Sequence, residues 1–167
     1  MFGRRIKLFT LLGFEVRIDL SWIIIAFLIV WSLAQGVFPL YYPDLEPGTY
    51  WWMGVLGALG LFASIIFHEL SHSLVARAFG MPMHGITLFI FGGVAEMEEE
   101  PPSPKAEFLM AIAGPVASLV LAGVFHLLYI GFGANGLPVS WIAIFNYLRT
   151  INLVVAIFNL IPAFPLD

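Results

Sequence analysis

The sequence predicts a mainly α-helical, polytopic membrane protein with about four transmembrane helices and a small membrane-associated β-sheet. Of its 167 residues, 60% are hydrophobic and only 11% are charged, whereas soluble domains average about 45–50% apolar and about 25% charged residues. Long uncharged runs alternate with shorter segments that are rich in glycine and β-forming residues. A water-soluble fold could not bury so much apolar surface, so we expect lipid to solvate much of it.

Composition also excludes several classes of function. Seven Lys and Arg residues are scattered along a chain of net charge −4, which leaves no basic surface for a nucleic acid, and we expect no such partner. Cysteine is absent, so neither a disulfide framework nor a cysteine-based metal site can form. The length suits one compact unit, and residues 1–167 are interpreted as a single membrane-embedded core.

The N-terminal region predicts two strands followed by a helix. Residues 5–18 divide at Gly13 into two segments with alternating or β-branched character, which is typical of two short strands around a turn. The next stretch carries no charge, and a membrane span needs about 20 apolar residues. The first transmembrane helix is therefore predicted over residues 20–42.

The next two segments predict a second helix and a second pair of strands. A helical pattern extends over residues 51–79, and Gly80 follows as a stop signal. Residues 83–97 are too short and too rich in glycine and β-formers to span a membrane as a helix. They are predicted to form strands with a kink or bulge at Gly92 and Gly93.

The C-terminal half predicts two more spans. No residue between Glu107 and Arg149 is charged, and the turn-rich residues 131–140 divide this run. Transmembrane helices are therefore predicted over residues 106–130 and 141–161. Arg149 would lie inside the last span, where it either snorkels or pairs with an acid, unless that helix begins later.

Basic residues predict the orientation of the chain. Arg and Lys precede the first helix and flank the loop after the second helix, whereas the loops at 41–50 and 131–140 have neither. Basic loops remain preferentially on the cytoplasmic side of a membrane. The N-terminus, the loop at 80–105 and the C-terminus are therefore expected to face the cytoplasm.

The motif His68-Glu69-Leu70-Ser71-His72 lies inside the second predicted span. Two imidazoles four residues apart share one helix face, and this geometry suits two ligands of a tetrahedral zinc ion. Glu69 adjoins the first ligand and can act as a general base toward an attacking water. Coincidence is the alternative, but an acid inside a span costs about 2.5–3.5 kcal/mol on insertion scales and usually marks function.

A catalytic zinc site needs a third protein ligand. His84 is predicted at a strand edge, and His126 is typical of a hydrogen-bonded core histidine. Asp167 follows a proline-broken hydrophobic segment, and two interpretations stay open: it folds back onto the zinc, or it lies in water at the end of the chain. The first is possible because His68 and Asn159 lie about 25 and 27 Å along their helices, at the same level.

Four segments carry a resemblance to a known family. They are FHELSHSLVARAFG, FGGVAEM, an Ala-Gly-Pro turn and NLIPAFPLD, at residues 67–80, 91–97, 113–115 and 159–167. Together they resemble the site-2 protease family of intramembrane zinc metalloproteases. The HExxH pattern alone occurs in many unrelated zinc peptidases, but its position inside a span together with the last segment is far more specific.

The resemblance implies the roles of the metal and catalytic residues. His68, His72 and Asp167 would ligate one catalytic zinc ion. Glu69 would activate water for attack on a peptide bond. Asn159 would hold the peptide carbonyl or its oxyanion, a role that suits an amide donor.

The resemblance also implies a substrate and a location. The strand around Gly92 and Gly93 would pair with an unwound substrate, which would be a membrane-anchored protein cleaved in or near a transmembrane helix during regulated intramembrane proteolysis. The N-terminal half looks most like archaeal and bacterial members, which implies a prokaryotic cytoplasmic membrane with the site toward the cytoplasm. Members of the family continue past the position of Asp167, so a C-terminally truncated core is expected.

Two other functions compete with proteolysis. Intramembrane His, Glu and Asp residues also mark ion pathways, so the protein could be a membrane zinc or proton transporter. The internal repeats that are common in transporters are not evident in the sequence. A non-catalytic membrane scaffold is the third alternative, although a scaffold has no need of Glu69.

Overall fold

The described residues form four long apolar helices and a four-stranded sheet. The computed structural model describes residues 5–89, 92–97 and 100–161. Its elements in chain order are β1 (Arg5–Leu11), β2 (Phe14–Asp19), α1 (Ser21–Ser32), a π-helical turn (Leu33–Val37), α2 (Phe38–Tyr41), α3 (Pro47–Ala78), β3 (Met83–Phe89), β4 (Gly92–Met97), α4 (Pro104–Ala134) and α5 (Val139–Leu160). This architecture confirms the predicted fold class.

The helices are long and apolar enough to cross a membrane. The four candidate spans are Ser21–Tyr41, α3, α4 and α5, with 21, 32, 31 and 22 residues respectively. At about 1.5 Å per residue, even the shortest of them matches a hydrocarbon core about 30 Å thick. The chain is therefore a multi-pass membrane protein.

Three helices begin earlier than the sequence predicts, among them α5, which begins at Val139 instead of residue 141. Helix α3 begins at Pro47 instead of residue 51, and α4 begins at Pro104 instead of residue 106. Proline fits the first turn of a helix because a backbone N–H has no partner there. Before α4, the Ser103 hydroxyl accepts a hydrogen bond from the Ala106 N–H at 3.2 Å, which caps the helix.

Helix α4 runs antiparallel to both of its neighbours. His68 on α3 contacts Ser118, whereas the later His72 contacts the earlier Met110. Residues 135–138 form a short turn that reverses the chain from α4 into α5. Helices α3 and α5 consequently run in the same direction, and they also pack against each other.

Among the described residues, two of the buried apolar clusters hold the bundle and the sheet together. The first lies where the π-helical turn, α2, α3 and α5 meet, and its largest members include Phe38, Met53 and Leu148. The second joins the sheet to α3, and its buried members are Phe14, Ile18, Leu70, Ile86 and Leu88. Because Leu70 lies between the two histidines of the motif, the second cluster fixes the sheet beside that part of α3.

The sheet has the strand order β1-β2-β3-β4. Strands β1 and β2 are antiparallel, β2 and β3 are parallel, and β3 and β4 are antiparallel. The turn between β1 and β2 has positive φ angles at Leu12 and Gly13. Arg77, near the end of α3, donates a hydrogen bond to the Leu12 carbonyl at 2.6 Å and lies over the Phe14 ring. The first hairpin is therefore tied to the end of α3.

Charged side chains pair across the first hairpin. Lys7 Nζ lies 2.8 Å from one carboxylate oxygen of Glu15, and the Arg17 guanidinium pairs with the other oxygen. Hydrogen bonds from Lys7 and Arg17 lower the pKa of Glu15 from 4.5 to about 2. Glu15 therefore remains charged at any pH at which the protein is expected to work.

Candidate metal centre

His68 and His72 lie one turn apart on α3 and are both buried. Their exposed fractions are 2% and 9%. The helix is continuous through the motif, so the four-residue spacing places both rings on the same side, where α4 covers them. The predicted arrangement of the two histidines is therefore present in the structure.

The separation of the two rings fits a shared zinc ion. The Nε2 atoms of His68 and His72 lie 3.2 Å apart, and their rings are inclined by 74°. Two imidazole nitrogens at about 2.0–2.1 Å from a tetrahedral zinc ion would be separated by about 3.3 Å. The histidine pair thus meets the geometric requirement for two of the ligands.

The other ring nitrogens are held by α4. The Nδ1 atom of His72 lies 2.6 Å from the Met110 carbonyl oxygen, and the Nδ1 atom of His68 lies 2.8 Å from the Ser118 hydroxyl. A carbonyl oxygen can only accept a hydrogen bond, so Nδ1 of His72 carries the proton and Nε2 presents its lone pair. Such contacts orient metal-binding imidazoles and raise their basicity.

Gly114 allows α4 to approach the histidine pair. A Cβ atom at this position would lie 2.2 Å from Nε2 of His72 and 2.4 Å from Nε2 of His68. Any larger residue would therefore force the rings or the helices to move. The sequence pattern around Gly114 contributed to the family resemblance, but it gave no sign that this residue contacts both imidazoles.

Glu69 is buried beside the pair, with 8% of its surface exposed. It follows His68 directly and precedes His72 by three residues, so it lies about 60° around the helix from His72. From that position on the helix, a carboxylate can accept a hydrogen bond from a water molecule that is bound near the two imidazoles. Its assignment as the general base remains a prediction.

The described residues do not supply the third ligand. Across residues 5–89, 92–97 and 100–161, no three His, Cys, Asp or Glu side chains are grouped closely enough to hold a metal ion. His84 is exposed on β3, and His126 contacts Arg149 on α5. Asp167 lies outside the described residues, so its role as a ligand remains a prediction.

The packing of α3 against α5 supports the predicted level of Asn159. The Asn152 amide donates to the Ser64 hydroxyl at 3.0 Å, a contact between residues 88 positions apart. One turn earlier, Gly60 faces Leu148, and these residues are also 88 positions apart. A Cβ atom added to Gly60 would lie 2.7 Å from the Leu148 side chain, so the two helices are in close contact there.

Because α3 and α5 run in the same direction, the offset of 88 positions also applies further along them and places two α5 residues level with the motif. Position 156 falls beside His68, and the residue there is a fully buried alanine. Asn159 falls beside Ser71, between the levels of the two histidines. The Asn159 amide is half-buried and donates to the Val155 carbonyl of its own helix at 2.8 Å.

Ser64, Ser118 and Asn152 are polar residues of this region that the sequence analysis missed. Asn152 is 1% exposed, and its amide nitrogen also donates to the Leu148 carbonyl. No donor among the described residues reaches its Oδ1 atom. Two spacings could have revealed this region: Ser64 precedes His68 by one turn, and Asn152 precedes Asn159 by two turns.

Gly92 and Gly93 begin β4, where they pair in consecutive register with Phe89 and Leu88 of β3. The register shift between these strands lies between Met83 and Ile86, so the bulge predicted at the two glycines is wrong. Strand β4 is the last strand in the described sheet and packs beside α3. The strand edge that the sequence predicted is therefore close to the helix that carries the motif. Its use by a substrate remains a prediction.

Comparison with known proteins places these features among metalloproteases. The sequence profile of peptidase family M50 matches residues 56–137. The solved structure of the site-2 protease from Methanocaldococcus jannaschii superposes with a TM-score of 0.64 at 30% identity, covering 98% of this chain and 68% of that one.

Two curated proteins that are similar to nearly the whole of this chain are also named as zinc metalloproteases. A candidate zinc metalloprotease of Synechocystis sp., sll0528, is 43% identical over 99% of this chain and 42% of its own length. Rip3, a candidate zinc metalloprotease of Mycobacterium tuberculosis, is 39% identical over 93% of this chain and 39% of its own length. The chain thus spans about two fifths of the length of these relatives.

Proposed function

The chain belongs to the site-2 protease family, and from this membership we propose that it is the core of a zinc-dependent intramembrane endopeptidase. The observation that carries the proposal is the pair of buried imidazoles, with Nε2 atoms 3.2 Å apart, inside a helix long enough to cross a membrane. The proposed substrates are membrane-anchored proteins, cleaved in or near a transmembrane helix during regulated intramembrane proteolysis.

One zinc ion would be held by Nε2 of His68, Nε2 of His72 and the carboxylate of Asp167. When bound, zinc supplies Lewis acidity toward the scissile carbonyl and the attacking water. The two histidines fit this role because α4 fixes the proton of His72 on Nδ1 and braces His68 through Ser118. Buried, pre-oriented ligands need little rearrangement when the ion enters.

Glu69 would transfer the protons of the reaction. Its carboxylate takes a proton from the attacking water and then gives it to the nitrogen of the leaving amine. The position of Glu69 supports this role, because the buried carboxylate directly follows His68 on the helix that carries both imidazoles.

Asn159 would stabilise the charge that develops on the scissile carbonyl oxygen. An amide N–H aimed at such an oxygen is typically worth several kcal/mol in the transition state. The level of Asn159, between the two histidines, supports this role. The amide would exchange its hydrogen bond to the Val155 carbonyl for one to the substrate.

Strand pairing would present the substrate to the site. A transmembrane helix shields its own peptide bonds, so the substrate must unwind before it can be cut. An unwound segment can recover its backbone hydrogen bonds by adding to the edge of a sheet. The edge at Gly92 and Gly93 is suited to this because β4 packs beside α3.

The proposed location is a prokaryotic cytoplasmic membrane, with the N-terminus and the site toward the cytoplasm. The sheet end of the bundle carries Arg5, Lys7, Arg17 and Arg77. The opposite end carries the Trp52–Trp141 ring contact and no Lys or Arg in its connecting loops. Basic residues on one side and tryptophans at the interface support this orientation.

Substitution of Glu69 by Gln tests the proposal. We expect Glu69→Gln to retain zinc and to lose cleavage of a membrane-anchored reporter, because an amide cannot accept the proton of water. Glu107→Gln is the matched control, since Glu107 is exposed in the first turn of α4 and should retain both properties. Cleavage by Glu69→Gln at the original rate would refute the assignment.

A further inference from the structure

Arg149, His126 and Tyr129 form a polar cluster between α4 and α5 that the proposed reaction does not use. Arg149 donates a hydrogen bond from Nη1 to Nδ1 of His126 at 3.1 Å, and its guanidinium carbon lies 4.8 Å from the centre of the Tyr129 ring. Helix α5 begins at Val139, so Arg149 lies inside the span. The alternative in which the last helix begins later than predicted is therefore wrong.

The cluster lies at the depth of the hydrocarbon core. Trp52 and Trp141 are in contact at the end of the bundle away from the sheet, where tryptophans favour the membrane interface. Arg149 follows Trp141 by eight residues, which is about 12 Å along the helix. His126 precedes Ala134, the last residue of α4, by the same number of residues, so both helices give the same depth.

The cluster faces outward from the described bundle. His126 is exposed and Arg149 is half-buried, while their neighbours one turn away, Ile130 and Leu153, are exposed apolar residues. Within the part of the chain that the structure describes, no carboxylate pairs with Arg149. A permanently charged guanidinium therefore lies in an apolar surface with an imidazole and a phenol ring as its described partners.

We propose that Arg149 and His126 form a docking site for a carboxylate carried by the transmembrane helix of a partner protein. A guanidinium binds a carboxylate through two parallel hydrogen bonds, and His126 and Tyr129 hold it in place. Depth favours a helix over a lipid, because a phosphate lies at or above the tryptophan level. An acid inside a partner helix lies at the level of Arg149 and is itself costly unless it is paired.

The test measures association in vesicles of phosphatidylcholine, which carry no net charge. The full chain is labelled with a donor fluorophore, and the probe is an acceptor-labelled leucine–alanine transmembrane peptide with one Asp about 12 Å below its interfacial tryptophan. The control peptide has Asn at the same position. We expect the Asp peptide to associate about tenfold more strongly than the Asn peptide.

Variants of the chain separate the cluster from the rest of the surface. Arg149→Gln should remove the preference for Asp, and Arg149→Lys should retain part of it. Thr150→Val is the matched control, because Thr150 is exposed on the same helix, bonds to the Asn146 carbonyl and should leave the preference unchanged.

Two outcomes would overturn the proposal. The first is equal association of the Asp and Asn peptides with the unmodified chain, a result that does not depend on whether any variant folds. The other is Arg149-dependent enrichment of phosphatidylglycerol around the chain in mixed vesicles with no preference for Asp, which would identify a lipid phosphate as the occupant. Neither outcome bears on the proposed protease reaction.

Discussion

The histidines of α3 and the asparagines of α5 differ in how fully their polar atoms are held. Helix α4 fixes both imidazoles through Ser118 and the Met110 carbonyl, so each Nε2 atom has a set direction. On α5, no donor in the described part of the chain reaches Oδ1 of Asn152, and the Asn159 amide bonds to its own helix. The α3 half of the candidate site is thus braced by a neighbouring helix, whereas the Asn159 amide of the α5 half bonds within its own helix.

Because of this difference, substitutions at the contact between α3 and α4 should affect a different property from substitutions on α5. A change at the contact between α3 and α4 should act on metal affinity first, because those contacts orient ligands. A change on α5 should act on cleavage and leave metal affinity unchanged. Each substitution below is therefore measured both by zinc affinity, in competition with a chelator, and by cleavage of a membrane-anchored reporter.

Gly114→Ala should produce the largest effect. The new Cβ would overlap the Nε2 atoms of both histidines, so we expect zinc affinity to fall by at least about a hundredfold. Overpacking of a filled interior typically also costs about 1–3 kcal/mol of stability. Cleavage should be lost together with the metal.

Gly123→Ala is the matched control for that substitution. It lies on the same helix, and a Cβ there has no heavy atom within 4 Å. Because alanine is the better helix former, this variant should be equally or more stable and should bind zinc normally. Normal zinc binding by Gly114→Ala would show that the rings do not occupy the described position.

Ser118→Ala should produce an intermediate effect on the metal. It removes the hydroxyl that contacts Nδ1 of His68, and loss of such a partner typically lowers metal affinity by about 10–100-fold. Ser71→Ala is the control, since that hydroxyl donates to the Phe67 carbonyl of its own helix. Equal zinc affinities for the two variants would contradict the proposed bracing of His68.

Asn152→Leu should reduce cleavage about tenfold while zinc affinity changes by less than about twofold. The substitution removes the hydrogen bond to Ser64 that sets α5 against α3 and therefore the level of Asn159. Asn146→Leu, on the same helix, is the control, since its amide contacts Tyr42 instead. A parallel loss of zinc in Asn152→Leu would remove the distinction between the two halves.

Glu15→Gln should produce the smallest effect, because the ion pairs on the first hairpin lie at the surface, with side chains 30–51% exposed, and such pairs contribute little. The folded-state pKa of about 2 lies below the ordinary value of 4.5, so the contribution of Glu15 is complete above pH 4.5 and is lost as the pH falls through about 2. Unfolding of the two proteins should therefore differ slightly at neutral pH and converge near pH 2. Divergence on acidification would contradict the cause assigned to the shift.

The parts of the molecule that follow local rules could be predicted from the sequence. Uncharged runs of sufficient length predicted the spans, and the spacing of His68 and His72 predicted a shared helix face. The strands were predictable because the chain on either side of Gly13 has alternating or β-branched character and residues 83–97 are rich in β-forming residues. The predicted starts of α3 and α4 are four and two residues late, because a proline is compatible with a loop as well as with the first turn of a helix.

Contacts between helices could not be predicted from the same patterns. Met110 and Ser118 are 38 and 50 positions from the histidines they hold, and Met110 contributes a backbone oxygen that every residue type has. The spacing of Gly114 in the sequence gives no information about which side chains face it. The position of Asn152 could have been predicted more readily, because Asn152 and Asn159 are two turns apart and therefore lie on one face of α5.

X-ray absorption at the zinc edge of the purified protein would show whether His68 and His72 bind zinc. We expect one zinc ion per chain with two imidazole nitrogens at about 2.0–2.1 Å, and loss of that signal in the His68→Ala, His72→Ala double variant. A chain that binds no stoichiometric zinc, or a double variant that keeps the same imidazole signal, would contradict this expectation.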